Sequence, residues 1–309
     1  MKSSFHVRLT WSAASSLETG SISFIQQRAD KGMGGYEMED RLSLYGHSFH
    51  SRLILGTARY ESPSLLAEAI RVADPAMLTV SLRRQLSGRE DAGKPFWNLL
   101  RETGKTILPN TAGCHTVREA VTTACMAREL FETNLIKLEV LGDEVNLQPD
   151  PFALLEAATE LIGLGFHVLP YCTEDWVLCR RLMEIGCEVL MPWAAPIGTG
   201  QGPRNPAALQ ELRRRAQHIP LIVDAGIGLP SHACQVMEWG FDAVLLNTAV
   251  SRALDPVRMA GAFAAAILAG RDAYRAGPMA VQRFAVPSTP EIGLPFAEGT
   301  DVGRQAFQQ

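Results

Sequence analysis

The chain has 309 residues, 47% hydrophobic and 20% charged, the balance of a globular protein with one large domain or two ordinary ones. A net charge of -4, a pI near 6.0 and no clustered Lys/Arg stripe argue against nucleic acid as a partner, though not against small phosphorylated molecules. The longest apolar run, Ala260 to Gly270, is too short to span a bilayer. Six cysteines without a C-x-x-C pair look like core thiols of a reducing compartment rather than a disulfide framework or a zinc site, so a cytoplasmic location is expected.

Residues 1–37 differ from the rest. They are Ser-rich, lack a sustained apolar period and end in Gly32-Met33-Gly34-Gly35. A secretory h-region is absent, and Glu18 and Asp30 weaken a transit-peptide reading of Lys2, Arg8 and Arg28. The expectation is a disordered extension, or a start assigned upstream of Met33 or Met38.

From about residue 40, short β-branched runs alternate with helical patterns. Strands are predicted at Leu53–Gly56, Met77–Ser81, Thr106–Leu108, Leu135–Val140, His167–Tyr171, Glu188–Pro192, Leu221–Ala225 and Asp242–Asn247. Between them, Thr116-Val117-Arg118-Glu119 has capping-box spacing, followed by Val117, Val121, Ala124 and Cys125 along one face. Asp150-Pro151, Asn205-Pro206 and Asp255-Pro256 each set an N-cap before a proline at the first helical position. Met259, Phe263 and Ile267 mark the core stripe of the last helix. Eight strand–helix units over 38–285, with a tail at 286–309, fit a single-domain (β/α)8 TIM barrel. A doubly wound open sheet is the alternative, but Leu55-Gly56-Thr57-Ala58-Arg59 lacks the dinucleotide glycine fingerprint. The barrel is preferred, with function at the C-terminal ends of its strands.

The fourth strand carries a lysine amid apolar residues, Leu135-Ile136-Lys137-Leu138-Glu139-Val140. Alternation puts Lys137 and Glu139 on one face, Glu139 nearer the mouth, and Ile136, Leu138 and Val140 on the other. Burying such charges costs several kcal/mol unless they pair or a pKa moves. A free lysine has a pKa of about 10.4, burial lowers it, and an ionised Glu139 raises it. A neutral lysine there would be a nucleophile toward a carbonyl carbon. The loop Pro196-Ile197-Gly198-Thr199-Gly200-Gln201-Gly202, the strand end Asp224-Ala225-Gly226 and the strand end Asn247-Thr248 fall on the same rim, where barrels hold phosphate. Each feature also has a plainer reading: a structural ion pair, a turn-closing aspartate, a mobile glycine loop. His115, His167, His218 and His232 lack metal-ligand spacing, so no metal site is expected, and Cys114 is left unassigned.

These stretches resemble the thiazole synthase family of thiamine biosynthesis. The likeness is carried by Ser51 to Thr57, Leu108 to Gly113, Ile136 to Val140, Val168 to Tyr171, Pro196 to Gly202, Val223 to Gly228 and Leu245 to Val250, in order, within a span from about Leu42 to Leu294. The resemblance implies that Lys137 forms an imine with the ketone of 1-deoxy-D-xylulose 5-phosphate and that Glu139 and Asp224 move protons. It implies that Gly198, Ala225, Gly226, Asn247 and Thr248 hold the sugar phosphate. Sulfur would arrive as the C-terminal thiocarboxylate of a small sulfur carrier protein, and carbon and nitrogen as 2-iminoacetate, with no metal or organic cofactor, in a homo-oligomer. Residues 1–37 have no counterpart in the family, and Gly34-Gly35 is internal and cannot become a thiocarboxylate. Trp193 stands where a smaller residue is expected; it either fills the rim or covers the sugar. The competing expectations are a class I aldolase-like enzyme acting through Lys137 on another phosphosugar, and a non-catalytic barrel that docks a carrier protein.

Overall fold

The computed structural model describes residues 40–82, 94–286 and 288. By its contacts the chain divides into two units, Met1–Arg41 and Leu42–Gln309, and the fold that follows is that of the second. The expected extension at 1–37 and nearly all of the expected tail at 286–309 lie outside the described residues.

A short antiparallel hairpin comes first, β1 (Leu42–Leu44) and β2 (His47–Phe49). Eight parallel strands follow: β3 (Leu53–Gly56), β4 (Met77–Ser81), β5 (Thr106–Asn110), β6 (Leu135–Leu138), β7 (His167–Cys172), β8 (Met191–Pro192), β9 (Ile222–Asp224) and β10 (Ala243–Leu246). Their order is β8-β7-β6-β5-β4-β3-β10-β9. The end strands β8 and β9 then meet through isolated parallel bridges, Leu190 to Leu221 and Trp193 to Asp224. That closure makes the (β/α)8 barrel and rules out the open sheet.

The helices are α1 (Pro63–Ala73), α2 (Lys94–Thr103), α3 (Val117–Phe131), α4 (Pro151–Gly163), α5 (Trp176–Glu184), α6 (Pro206–Arg215), α7 (Pro230–Glu238), α8 (Thr248–Ser251) and α9 (Pro256–Ala276). Asp150, Asn205 and Asp255 cap α4, α6 and α9 through their side-chain oxygens, each satisfying backbone N–H groups that a helix start leaves unpaired. Thr116 accepts from Glu119 N, but the Glu119 carboxylate accepts from His115 N, one residue beyond the position a capping box uses. None of the helices is long and apolar enough to cross a membrane, among the described residues.

Two apolar layers surround the strands. Ile54, Met77, Leu108, Leu135, Leu169, Met191, Ile222 and Leu245 fill the barrel interior, together with Leu42 and Leu44 of the hairpin. The alternate residues, such as Leu53, Leu55, Ile136, Leu138 and Val223, pack outward against the helices. The hairpin is anchored by Tyr45, whose hydroxyl donates to Val168 O at 2.6 Å and whose ring stacks on His167 at 4.6 Å. Filling the lower interior with hydrophobic side chains leaves room for polar groups only near the upper rim.

Several expected boundaries shift. β5 runs on through Pro109 to Asn110 and β7 extends by one residue to Cys172, while β8 is cut to two residues. β6 stops at Leu138, so Glu139 and Val140 lie past the ladder. Phe263 and Ile267 are buried as the stripe predicts, whereas Met259 is only half-buried and faces the cavity described below. On α3 the buried face is built from Ala120, Val121, Thr123, Ala124 and Ala127, with Val117 and Cys125 only half-buried. All six cysteines are free, four of them buried.

Candidate active site

The alternation along β6 decides where its charges go. Leu135 packs in the barrel interior and Ile136, Leu138 and Val140 pack outward, so Lys137 and Glu139 project inward above Leu135. On β9 the same parity puts Ile222 in the interior and Asp224 above it. The three charged groups meet: Lys137 Nζ lies 2.6 Å from Asp224 Oδ2 and 3.1 Å from Glu139 Oε1. All three are buried, at 5%, 2% and 4% exposure respectively, so this is a charge cluster removed from solvent.

Its electrostatics follow from one cation facing two carboxylates. Burial alone would lower the Lys137 pKa, but Asp224 and then Glu139 outweigh it and hold the ammonium above its ordinary range. Asp224 is pushed up, chiefly by burial with Glu139 adding, while Lys137 opposes. The resting lysine is therefore an ammonium, and one carboxylate beside it is disposed to take a proton. Tyr171 lies beside this cluster, fully buried, with its ring centroid 5.7 Å from Lys137 Nζ. Its hydroxyl has no hydrogen-bond partner among the described residues, and burial, Asp224 and Glu139 all raise its pKa.

Thr111 fixes Glu139 past the end of the ladder. Its Oγ1 accepts from Glu139 N and donates to Glu139 O, both at 2.7 Å. A side chain thus does for Glu139 what a neighbouring strand does for Lys137. Beside it, Asn110 donates to Thr79 Oγ1 at 3.0 Å, and its Oδ1 accepts from Ala112 N at 3.2 Å. Neither Thr111 nor Asn110 stood out in the sequence beyond the motif Leu108 to Gly113; both are buried polar residues whose partners lie about 30 positions away.

A cavity of about 1040 Å³ opens above the cluster. All eight residues singled out from the sequence line it: Lys137, Glu139, Asp224, Gly198, Ala225, Gly226, Asn247 and Thr248. The glycines of its upper wall are required by packing between loops. A Cβ on Gly226 would sit 2.4 Å from Ala195 N, and one on Gly228 would sit 2.3 Å from Gly200 O. Gly202 N donates to Gly226 O at 2.8 Å, so the loops after β8 and β9 are locked backbone to backbone. Ala225 has φ +72°, a conformation that costs an L residue roughly 1–2 kcal/mol. Its carbonyl accepts from Ala194 N at 3.2 Å, which holds it there.

Asn247 behaves differently from its neighbours. With its amide oriented to satisfy both ends, the side-chain nitrogen donates to Gly56 O and Ala58 O, each at 3.0 Å. Both its donors are thereby committed to the loop after β3, and Gly56 is the residue that lets the two segments approach so closely. Trp193 donates to Glu174 and is not among the described residues that line the cavity. Among the described residues no group of three or more His, Cys, Asp or Glu is arranged to hold a metal ion.

The chain is similar to known proteins along the whole barrel. The family model described as thiazole biosynthesis protein ThiG matches residues 43–290. The thiazole synthase of Variovorax paradoxus (strain S110) is 64% identical over 259 residues, covering 83% of this chain and 94% of that protein. That of Neisseria meningitidis serogroup B (strain MC58) is 62% identical, covering 82% and 97%. Among solved structures, a crystal structure of the Amycolatopsis orientalis BexX/CysO complex is similar with a TM-score of 0.70 and 32% identity, covering 79% of this chain and 98% of that one. With the family model spanning the whole barrel and relatives above 60% identity, the chain belongs to the thiazole synthase family of thiamine biosynthesis.

Proposed function

We propose that this protein makes the thiazole phosphate of thiamine from 1-deoxy-D-xylulose 5-phosphate, 2-iminoacetate and sulfur carried as a protein thiocarboxylate, through an imine on Lys137. The observation that carries the reading is the buried lysine with two carboxylates within 3.1 Å, at the wall of a cavity rimmed by close-packed glycine loops. An ammonium is not a nucleophile, so the first step is a proton transfer. Asp224, at 2.6 Å and with its pKa raised, accepts that proton. The free amine adds to the ketone carbon. The carbinolamine hydroxyl then leaves as water with a proton returned by a carboxylate, and the C=N bond forms.

The imine makes the adjacent carbon acidic. Glu139, clamped by Thr111, removes and returns protons there while Asp224 serves the nitrogen side. Backbone N–H groups of Gly198 and Gly226, with the Thr248 hydroxyl, hold the phosphate at the rim, while Ala225 shapes the loop and turns its own N–H to the Asp224 carboxylate. Asn247 contributes by anchoring the start of α8, since its donors are engaged with Gly56 and Ala58. No step in this route calls for a metal or an organic cofactor. The similar BexX/CysO structure is a complex, which supports a protein partner for this chain too; we read that partner as the sulfur carrier. We also read the protein as a homo-oligomer, which sedimentation will test.

Borohydride trapping tests the mechanism directly. Incubation with 1-deoxy-D-xylulose 5-phosphate and reductant should add one reduced ketose to the intact mass, on Lys137, and Lys137→Ala should abolish both the adduct and thiazole phosphate formation. Equal trapping with unrelated ketose phosphates would favour the aldolase-like reading. Unchanged turnover in Lys137→Ala would rule out the imine on Lys137, and carrier binding without any turnover by the unsubstituted chain would leave only docking.

A further inference from the structure

Among the described residues, five charged side chains line the cavity, and two of them are uncommitted. Lys137, Glu139 and Asp224 satisfy one another in the buried cluster. Arg59, on the loop after β3, and Arg252, just after α8, are exposed at the mouth. Neither forms an ion pair among the described residues; the acid nearest Arg252 in sequence, Asp255, engages Arg258 instead.

Their positions are set by the site. β3 and β10 are adjacent strands, so the loops bearing the two arginines rise side by side from one arc of the rim. Asn247 ties these loops together through Gly56 O and Ala58 O, next to Arg59. Arg59 itself has φ +70°, a backbone conformation that a non-glycine residue rarely adopts without a constraint. Two guanidiniums are thus held at the mouth of a cavity whose interior cluster carries an excess negative charge when fully ionised. An anion approaching that interior is repelled by the cluster unless a cation meets it first.

We propose that Arg59 and Arg252 receive the anionic C terminus of the sulfur carrier as it enters the cavity. This inference rests on the thiazole-forming reading above and deepens it. A thiocarboxylate is a planar two-atom anion, the shape a guanidinium fork matches. In that reading the sugar phosphate is held by the amides of the loops after β8 and β9. A two-carbon imino acid must travel past the mouth to reach the imine. A chain terminus still attached to its protein has to thread the mouth itself, where the two arginines stand.

The test compares the unsubstituted chain with Arg59→Gln, Arg252→Gln and the double variant. The first readout is binding of a labelled carrier protein, with a free C-terminal carboxylate or an amidated C terminus, by fluorescence anisotropy at low and high salt. The second is borohydride trapping of 1-deoxy-D-xylulose 5-phosphate. The double variant should bind the carboxylate-ended carrier about tenfold more weakly and lose most of the salt dependence, as expected for two exposed charge contacts. The amidated carrier should bind both proteins alike, and trapping should stay within twofold. Unaltered carrier affinity, or an equal loss with the amidated carrier, overturns the proposal. A loss of trapping parallel to the loss of binding reassigns the arginines to the phosphate, and, with steady-state turnover as a third readout, a rise only in the KM for 2-iminoacetate reassigns them to that acid. Failure of the unsubstituted chain to trap the ketose would instead strike the thiazole-forming reading, since carrier binding is measured without chemistry.

Discussion

Replacing Lys137 with methionine keeps an unbranched stem and removes the only cation from the buried cluster. Asp224 and Glu139 are then left facing each other at 2% and 4% exposure with no counter-charge. Removing one partner from a buried ion pair costs about 3–5 kcal/mol, because the remaining charge is uncompensated. For a domain of this size that corresponds to a fall in Tm on the order of 10 °C. The loss should depend on pH in a definite direction. Lys137 has its pKa raised on folding, so its contribution is fully present below the unfolded lysine value and disappears only in strongly alkaline solution. Asp224 also has its pKa raised, so its ionisation works against the fold as pH climbs above the unfolded aspartate value, more so once Lys137 is gone. Differential scanning fluorimetry at pH 5 and pH 8 should therefore show a deficit of Lys137→Met that is largest at pH 8 and shrinks toward pH 5. The triple variant Lys137→Met/Glu139→Gln/Asp224→Asn, which carries no buried charge, should recover most of the loss while remaining inactive. A deficit equal at both pH values, or no recovery in the triple variant, refutes the charge-cluster reasoning.

Gly226→Ala should raise the KM for the phosphosugar about tenfold or more, since its Cβ would sit 2.4 Å from Ala195 N and force the loops after β8 and β9 apart. Gly165→Ala has a similar φ of +81° but no atom within 4 Å of the new methyl; it should cost only about 1 kcal/mol in chemical denaturation and leave the kinetics unchanged. Thr111→Val removes the hydroxyl that clamps Glu139, and should lower kcat about tenfold with little change in KM, at a stability cost of roughly 1–3 kcal/mol. A chain beginning at Met38 should keep its full activity in a turnover assay; a large loss would show that the preceding segment has a task in the reaction.

Much of the barrel was legible because a strand buried on both faces reads as a short apolar run, and because α3, α4, α6 and α9 begin with the side-chain caps Thr116, Asp150, Asn205 and Asp255. Lys137 and Glu139 were legible for the same reason, as charges that interrupt such a run at inward positions. The hairpin from Leu42 to Phe49 was not. Its strands have three residues each, too few for an alternation to register, although the Tyr45-Gly46 pair at its tip, with φ of +46° and +78°, carries a turn signal. β8 was overestimated because Glu188 to Leu190 looks like a strand; only its last residues find ladder partners on β7.

Local sequence determined the side of each strand on which a residue would fall, since a period of two needs only the residue and its neighbours. It therefore determined that Lys137 and Glu139 would share one face, whereas the inward facing of Asp224 on β9 came with the barrel. Which of them touch was decided by the closed sheet. β6 and β9 are separated by more than 80 residues and by other strands of the ring, and only closure brings Asp224 nearer to Lys137 than its own strand neighbour Glu139. Tertiary structure likewise turned the glycines from loop residues into points of backbone contact, and committed Asn247 to the loop after β3. A distance between elements far apart in the chain depends on the packing of everything between them, which no local pattern records.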